Sequence, residues 1–278
     1  MPAQTTAMRI GLGLLQRLCG LVALALVTAG PAAAQSTPPP AGDSAPDDGQ
    51  PEWLAARPFG ESDVYVLPRG VSVFGAGLRS VGPASGATAT ESAYRADFGL
   101  PARFQIGVHA TGRAEGHDGA IGNIDAQALE MRWAFAEWGR VWGNPAVEIG
   151  WTEASRGADV ATVKLLVAGG RATGWRWSSN VSWAQQAGAE REVERAVTAG
   201  AAYAPGRVVS IGVEARVALT DRLVSGGGAR TAMSHELLAG PSLQLRPVRR
   251  LFIDFAPLFG ATSDSSRSRT TLLAGWQF

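Results

Sequence analysis

The chain closes on "LLAGWQF" (Leu272 to Phe278), where side chains alternate with a period of two. Leu272, Ala274, Trp276 and Phe278 fall on one face, and Leu273, Gly275 and Gln277 on the other. This is the pattern of a β-strand with one apolar face, stopping on an aromatic beside the terminal carboxylate. Such a face needs an apolar neighbour, which is either a second sheet in a sandwich or the lipid around a barrel. The rest of the sequence decides between them.

The other end of the chain points to export. Arg9 and Arg17 form a sparse basic region, "LCGLVALALV" (Leu18 to Val27) is an apolar run of signal-peptide length, and "PAAAQ" supplies a cleavage point after Ala34. Residues 1–34 are therefore expected to be a signal peptide. Cys19 is the single cysteine and lies in that run, so the mature chain carries no disulfide framework.

The formal charge is 25 minus 24, or +1, and becomes 23 minus 24, or −1, once Arg9 and Arg17 are removed. Nothing in that balance suits a nucleic-acid partner. Thirty-five glycines, nine tryptophans and 46% hydrophobic residues come without a second long apolar run. A membrane protein of this composition must cross as a closed barrel, because no segment after Ala34 approaches the ~20 apolar residues of a spanning helix.

Between Gln35 and Gly60 the chain is rich in Pro, Ala and Asp ("QSTPPPAGDSAPDDGQ"), a composition expected to stay disordered as a periplasmic tail. From residue 61 to Phe278 the character changes to alternating segments of roughly ten residues, the length of a spanning strand. Short connections ("LPAR", "WGRVWGNPA", "GGRATG", "APGR", "RPVRR") alternate with long polar ones at Gly82 to Thr90, Glu115 to Asn123, Ser155 to Asp159, Ala187 to Glu192, Asp221 to Ala229 and Ser263 to Ser268. The spacing predicts an all-β fold, a transmembrane antiparallel barrel of about twelve strands with both termini periplasmic.

Individual segments support it. "WRWSSNVSWAQ" sets Trp175, Trp177, Val181 and Trp183 against Arg176, Ser178 and Asn180. "VVSIGVEARVALT" sets Val209, Ile211, Val213 and Val217 against Ser210, Glu214 and Arg216, and Leu129, Met131, Trp133 and Phe135 oppose Glu130 and Arg132. Phe104, Trp138, Trp142, Trp175, Trp177, Tyr203 and Trp276 lie beside short connections, where a headgroup-level girdle would sit. Pro241 and Pro257 fall inside two consecutive predicted strands, nearly opposite one another, and predict a local weakness in that seam.

The final strand resembles the C-terminal signal of Gram-negative outer-membrane proteins, which ends in an alternating pattern with a terminal Phe or Trp. That resemblance implies that Leu272, Ala274, Trp276 and Phe278 form a barrel-assembly signal, read by the barrel-assembly machinery during insertion among outer-membrane lipids. "VLPRGVSVFGAGL" (Val66 to Leu78) followed by "YRADFGLPARFQIGVHA" (Tyr94 to Ala110) is similar to the opening hairpin of small porin-like transporter barrels, including a family tied by name to phenol degradation. In those proteins an acidic residue usually precedes the basic one in the turn; "GLPAR" lacks it, so no substrate carries over.

The inward faces are expected to carry Arg95, Asp97, Gln105, His109, Glu130, Arg132, Glu148, Lys164, Arg176, Glu194, Glu214, Arg216, Glu236 and Asp254. Both signs are interspersed, so the residues either pair across the lumen or line a hydrated pore and set its selectivity. The function these features imply is passive passage of small solutes. The alternative is a non-conducting surface or structural barrel with a salt-bridged lumen and partner-binding loops. A barrel enzyme comes third: His109 is the only histidine at an inward mid-strand position, and "QIGVHATG" lacks the asparagine-containing context of outer-membrane phospholipases. No metal spacing and no cofactor motif is apparent; "GAGLRSVG" and "GRAEGHDGAIG" do not join a strand to a helix.

Overall fold

A computed structural model describes residues 59–60, 63–82, 88–114, 124–188, 191–223, 230–262 and 265–278. The expected signal peptide at 1–34 and the Pro/Ala/Asp-rich stretch up to residue 58 lie outside these residues. So do much of the loops at 83–87, 115–123 and 224–229, and the side chains of 113–114, 223 and 230–233.

Twelve strands follow in chain order: β1 (Ser72–Gly82), β2 (Ala89–Leu100), β3 (Phe104–Ala114), β4 (Ala126–Ala134), β5 (Ala146–Ala154), β6 (Val160–Gly170), β7 (Gly174–Gln186), β8 (Arg191–Ala204), β9 (Val209–Leu223), β10 (Arg230–Val248), β11 (Leu251–Gly260) and β12 (Ser268–Gln277). Each is antiparallel to its chain neighbours. β12 returns to pair with β1 from Val73↔Gln277 to Gly82↔Ser268, closing the sheet and leaving no edge.

Every short connection falls at the rim where β1 starts and β12 ends, and the strand ends joined by the long ones lie at the opposite rim. The short connection between β2 and β3 is a single 3-10 turn at Pro101–Arg103 with Ala102 and Arg103 at positive φ. The β4–β5 turn is the longest on this rim. It is held by Asn144, in the left-handed region, which donates to the Ala168 carbonyl at 2.9 Å and accepts from the Gly139 N–H at 2.5 Å.

Period-two alternation sorts the strand residues as expected. Met131, Trp133, Val181, Ile211, Val213, Leu272 and Trp276 are exposed on the outer surface, while Arg132, Arg176, Asn180 and Glu214 are buried inside. Outer aromatics meet near the short-turn rim: Phe104 stacks on Trp133, Trp142 lies against Trp177, Trp175 against Tyr203, and Phe74 against Phe278. Trp138 departs from this girdle. The β4–β5 turn folds back over the lumen mouth, and Trp138 packs edge-on against Tyr65 at 5.2 Å instead of joining the outer ring.

The two prolines do face one another. The β10–β11 ladder pairs Ala239 with Phe259 and Leu243 with Phe255, and pairing is interrupted between them, at Pro241 and Pro257. On their other sides the same residues remain in register, Pro241 with Val213 and Pro257 with Thr270. The missing N–H donors thus weaken one seam without breaking the barrel.

The lumen is not uniformly polar. Ala134, Ala146, Leu166, Ala168 and Ala202 point inward near the short-turn rim and pack around Phe59, Val64, Tyr65 and Val66. Leu67 joins Val73 and Phe252 in a second cluster. The phenyl ring of Phe252 lies over Gly275, where a Cβ would collide with it. These apolar inward residues have a partner inside the barrel because the chain preceding β1 occupies it.

Candidate functional site: the plugged lumen

Residues 59–60 and 63–68 run through the lumen before the chain turns at the rim into β1. The turn is closed by backbone hydrogen bonds from Val71 N to Pro68 O, Gly70 N to Gly99 O and Gly99 N to Val71 O. Gly99 has no side chain where the Pro68 carbonyl comes closest to β2, and any Cβ there would strike that carbonyl. Phe59 is 2% exposed, and its ring rests on the bare face of Gly200 in β8.

Polar atoms of this plug are matched by the wall. The Gly60 N–H donates to Glu214 at 3.0 Å, and the Leu67 N–H donates to Gln105 at 2.9 Å. Asn180 brackets Asp63, its amide nitrogen donating to the Asp63 carbonyl at 3.0 Å and its oxygen accepting from the Asp63 N–H at 2.7 Å. Arg132 donates to the Tyr65 carbonyl at 2.6 Å, and the Tyr65 hydroxyl donates to the Ala136 carbonyl. Burial pushes the Tyr65 phenol up to about 12, with Glu137 raising it and Arg103 opposing, so it remains a neutral donor.

Strand register builds the charged band against which the plug lies. Arg132 stands opposite Glu148, and Glu148 opposite Lys164, on β4, β5 and β6. Arg132 and Lys164 both bind Glu148, Lys164 at 2.7 Å. Both also bind the plug: Arg132 Nη2 is 2.9 Å from Asp63 Oδ1, and Lys164 Nζ is 3.2 Å from Asp63 Oδ2. One carboxylate from the plug thus spans two cations of the wall. Lys164 is also the only lysine in the chain.

The band continues on β2, β3 and β4. Asp97 binds Arg95 and accepts from Gln105 at 3.3 Å, while His109 contacts Asp97 at 3.2 Å and Glu130 at 3.4 Å through its two ring nitrogens. A separate network sits across β8, β9, β10 and β12, where Arg216 meets Glu194 at 2.7 Å and Glu236 at 3.3 Å, and Arg269 meets Glu236 at 3.1 Å. Asp254 accepts from Gln244 at 2.7 Å, and Arg176 donates to the Arg171 carbonyl at 3.0 Å, so it holds the β6–β7 turn.

All fourteen lumen candidates named from the sequence therefore face inward. Arg95, Asp97, Gln105, His109 and Glu130 form one bonded set, Arg132, Glu148 and Lys164 a second beside it, and Glu194, Arg216 and Glu236 a third. Glu214 meets the plug backbone instead, while Asp254 and Arg176 have local partners. Sequence reasoning missed Asp63, Tyr65 and the plug as a whole. The available signal was "DVYVLPRG": its apolar run from Val64 to Leu67 is too short to span and is stopped by Pro68.

A cavity of about 380 Å³ lies on the long-loop side of the plug. Asp63, Arg95, His109, Glu130 and Lys164 line its charged side, and Gly77, Ala93, Ala126 and Thr111 lie among the small residues on its wall. The Lys164 side chain keeps 24% of its surface exposed even though it is bound to Asp63 and Glu148.

No protein-family model matches the chain, and no curated protein matches it. Among solved structures it is similar to the COG4313 outer membrane channel from Pseudomonas putida F1, with a TM-score of 0.56 and 10% identity over 78% of this chain and 98% of that one. It is also similar to the NanC porin, with a TM-score of 0.52 and 10% identity over 74% of this chain and 98% of that one. These likenesses show the fold, a closed twelve-strand antiparallel barrel of the kind found in outer-membrane porin-like channels.

Proposed function

We propose that this protein is an outer-membrane channel for small solutes whose lumen is obstructed by its own segment ahead of β1. The observation that carries this reading is the pairing of a closed barrel, apolar outside and charged inside, with a lumen occupied by a separate piece of chain beside an open cavity. A purely structural barrel can fill its interior with side chains from its own strands, as small barrels do. Here a segment outside the strands does much of the filling, and it is held by contacts that can be broken without disturbing a single strand pair.

The exposed outer band suits lipid, since a monomeric soluble protein rarely displays so continuous an apolar surface. In that membrane the short turns and the C-terminus face the periplasm, and the long loops face outward. Leu272, Ala274, Trp276 and Phe278, on the outer face of β12, are placed for recognition by the assembly machinery. Transport is favoured over catalysis because both ring nitrogens of His109 already face carboxylates, leaving neither to accept a proton from a nucleophile.

Single-channel recording of the mature protein in a planar bilayer tests the proposal. Discrete steps whose ion selectivity changes in Arg216→Ala and Glu236→Ala are expected. A heat-modifiable, folded barrel that never conducts, even after Phe59→Ala, would establish the non-conducting reading.

A further inference from the structure

The Asp63 carboxylate of the plug lies between the two cations of a wall triad, Arg132, Glu148 and Lys164, while the neighbouring Glu130 is engaged by His109 at 3.4 Å. Arg132 and Lys164 bring two cations to Glu148, and Asp63 supplies the second anion. Without Asp63 this triad carries a net positive charge in a partly desolvated pocket, a situation that calls for another anion. The geometry also sets the shape of that anion. Two oxygens on one planar group each reach a different cation, at 2.9 and 3.2 Å. The 380 Å³ cavity touches both Asp63 and Lys164, so a solute arriving from the long-loop side meets this pair directly.

We infer that the solutes this channel recognises are small organic carboxylates, which replace Asp63 between Arg132 and Lys164 and thereby release the plug. This deepens, and rests on, the channel reading above. The exchange is near balanced because one carboxylate leaves the two cations as another arrives, so neither cation is stranded. A tethered carboxylate competes at an effective concentration on the order of millimolar. The solute therefore acts in the same range, weakly enough to leave again, as conduction requires. The cavity bounds the solute body: a molecule well under 380 Å³ fits beside the small side chains of its wall.

The chain's one lysine makes the exchange directly measurable. In proteoliposomes of the mature protein, a small amine-reactive reagent is applied and modification of the Lys164 peptide is followed by mass spectrometry, while single-channel current is recorded in parallel bilayers. Propionate and its uncharged analogue propionamide are the probes. Millimolar propionate is expected to raise channel open probability at least tenfold and to slow Lys164 modification at least threefold, with propionamide doing neither. Asp63→Asn is expected to be open without propionate and to retain protection of Lys164 by it. Lys164→Gln is expected to lose the propionate response.

If Asp63→Asn conducts but the wild type responds alike to propionate and propionamide, or to neither, the inference is overturned and the channel reading survives. If no variant conducts, including Phe59→Ala, both fall together.

Discussion

Phe59 offers the sharpest test of whether the plug is held as a packed element. It is 2% exposed, sits in the cluster with Val64, Tyr65, Val66, Leu166 and Ala202, and lies on Gly200. Phe59→Ala removes most of that side chain from a site whose wall side, including Leu166, Ala202 and Gly200, cannot collapse inward because it belongs to a closed barrel. A buried Phe→Ala change costs about 3–5 kcal/mol. None of that cost falls on the strand ladder, so it weakens docking of the plug. At about 1.4 kcal/mol per factor of ten, the docked population relative to the undocked one falls by roughly two to three and a half powers of ten. The assay is open probability and mean conductance in planar bilayers, with heat-modifiable migration on a gel to show that the barrel is intact. An intact Phe59→Ala barrel with wild-type current would refute the reasoning, since it would mean that the contacts around Phe59 do not govern occupancy of the lumen.

Other contacts lead to independent outcomes. Arg132→Ala leaves Glu148 buried without its closest cation and removes one of the two holding Asp63; a loss of about 3–5 kcal/mol is expected, seen as a lower barrel-unfolding temperature together with raised conductance. Gly240→Val places a side chain against the Pro257 carbonyl at the interrupted β10–β11 seam, and a smaller yield of folded barrel than for Ala239→Val, measured by heat-modifiability, checks it. Amide exchange from Gly240 to Ser242 is expected to be faster than from Ile211 to Val217; equal protection would show that the proline pair does not weaken the seam. Phe278→Ser changes an exposed outer residue and is expected to slow machinery-assisted assembly several-fold while leaving the conductance of the folded protein unaltered.

Much of the barrel was legible in the sequence because strand physics is local. A period of two puts Trp175 and Val181 outside and Arg176 and Asn180 inside whatever the neighbouring strands do, and turn composition fixes where each strand reverses. The proline pair could also be placed, by counting back from a short turn. Trp138 escaped the same logic because it lies within a long turn, where no periodicity determines its direction.

The sequence by itself thus determined the all-β class, the twelve strands, the inward set of charged residues and the alternating last strand, all of which follow from side-chain alternation along single segments. Only the tertiary structure decided what occupies the lumen and which charges meet. Arg132, Glu148, Lys164 and Asp63 come from four separate stretches of chain, and they converge because strand register aligns the first three while the segment ahead of β1 turns inward at Pro68. Register and the path of an irregular segment depend on packing between distant residues; "DVYVLPRG" marks a stretch that is not a spanning strand, but not where that stretch goes.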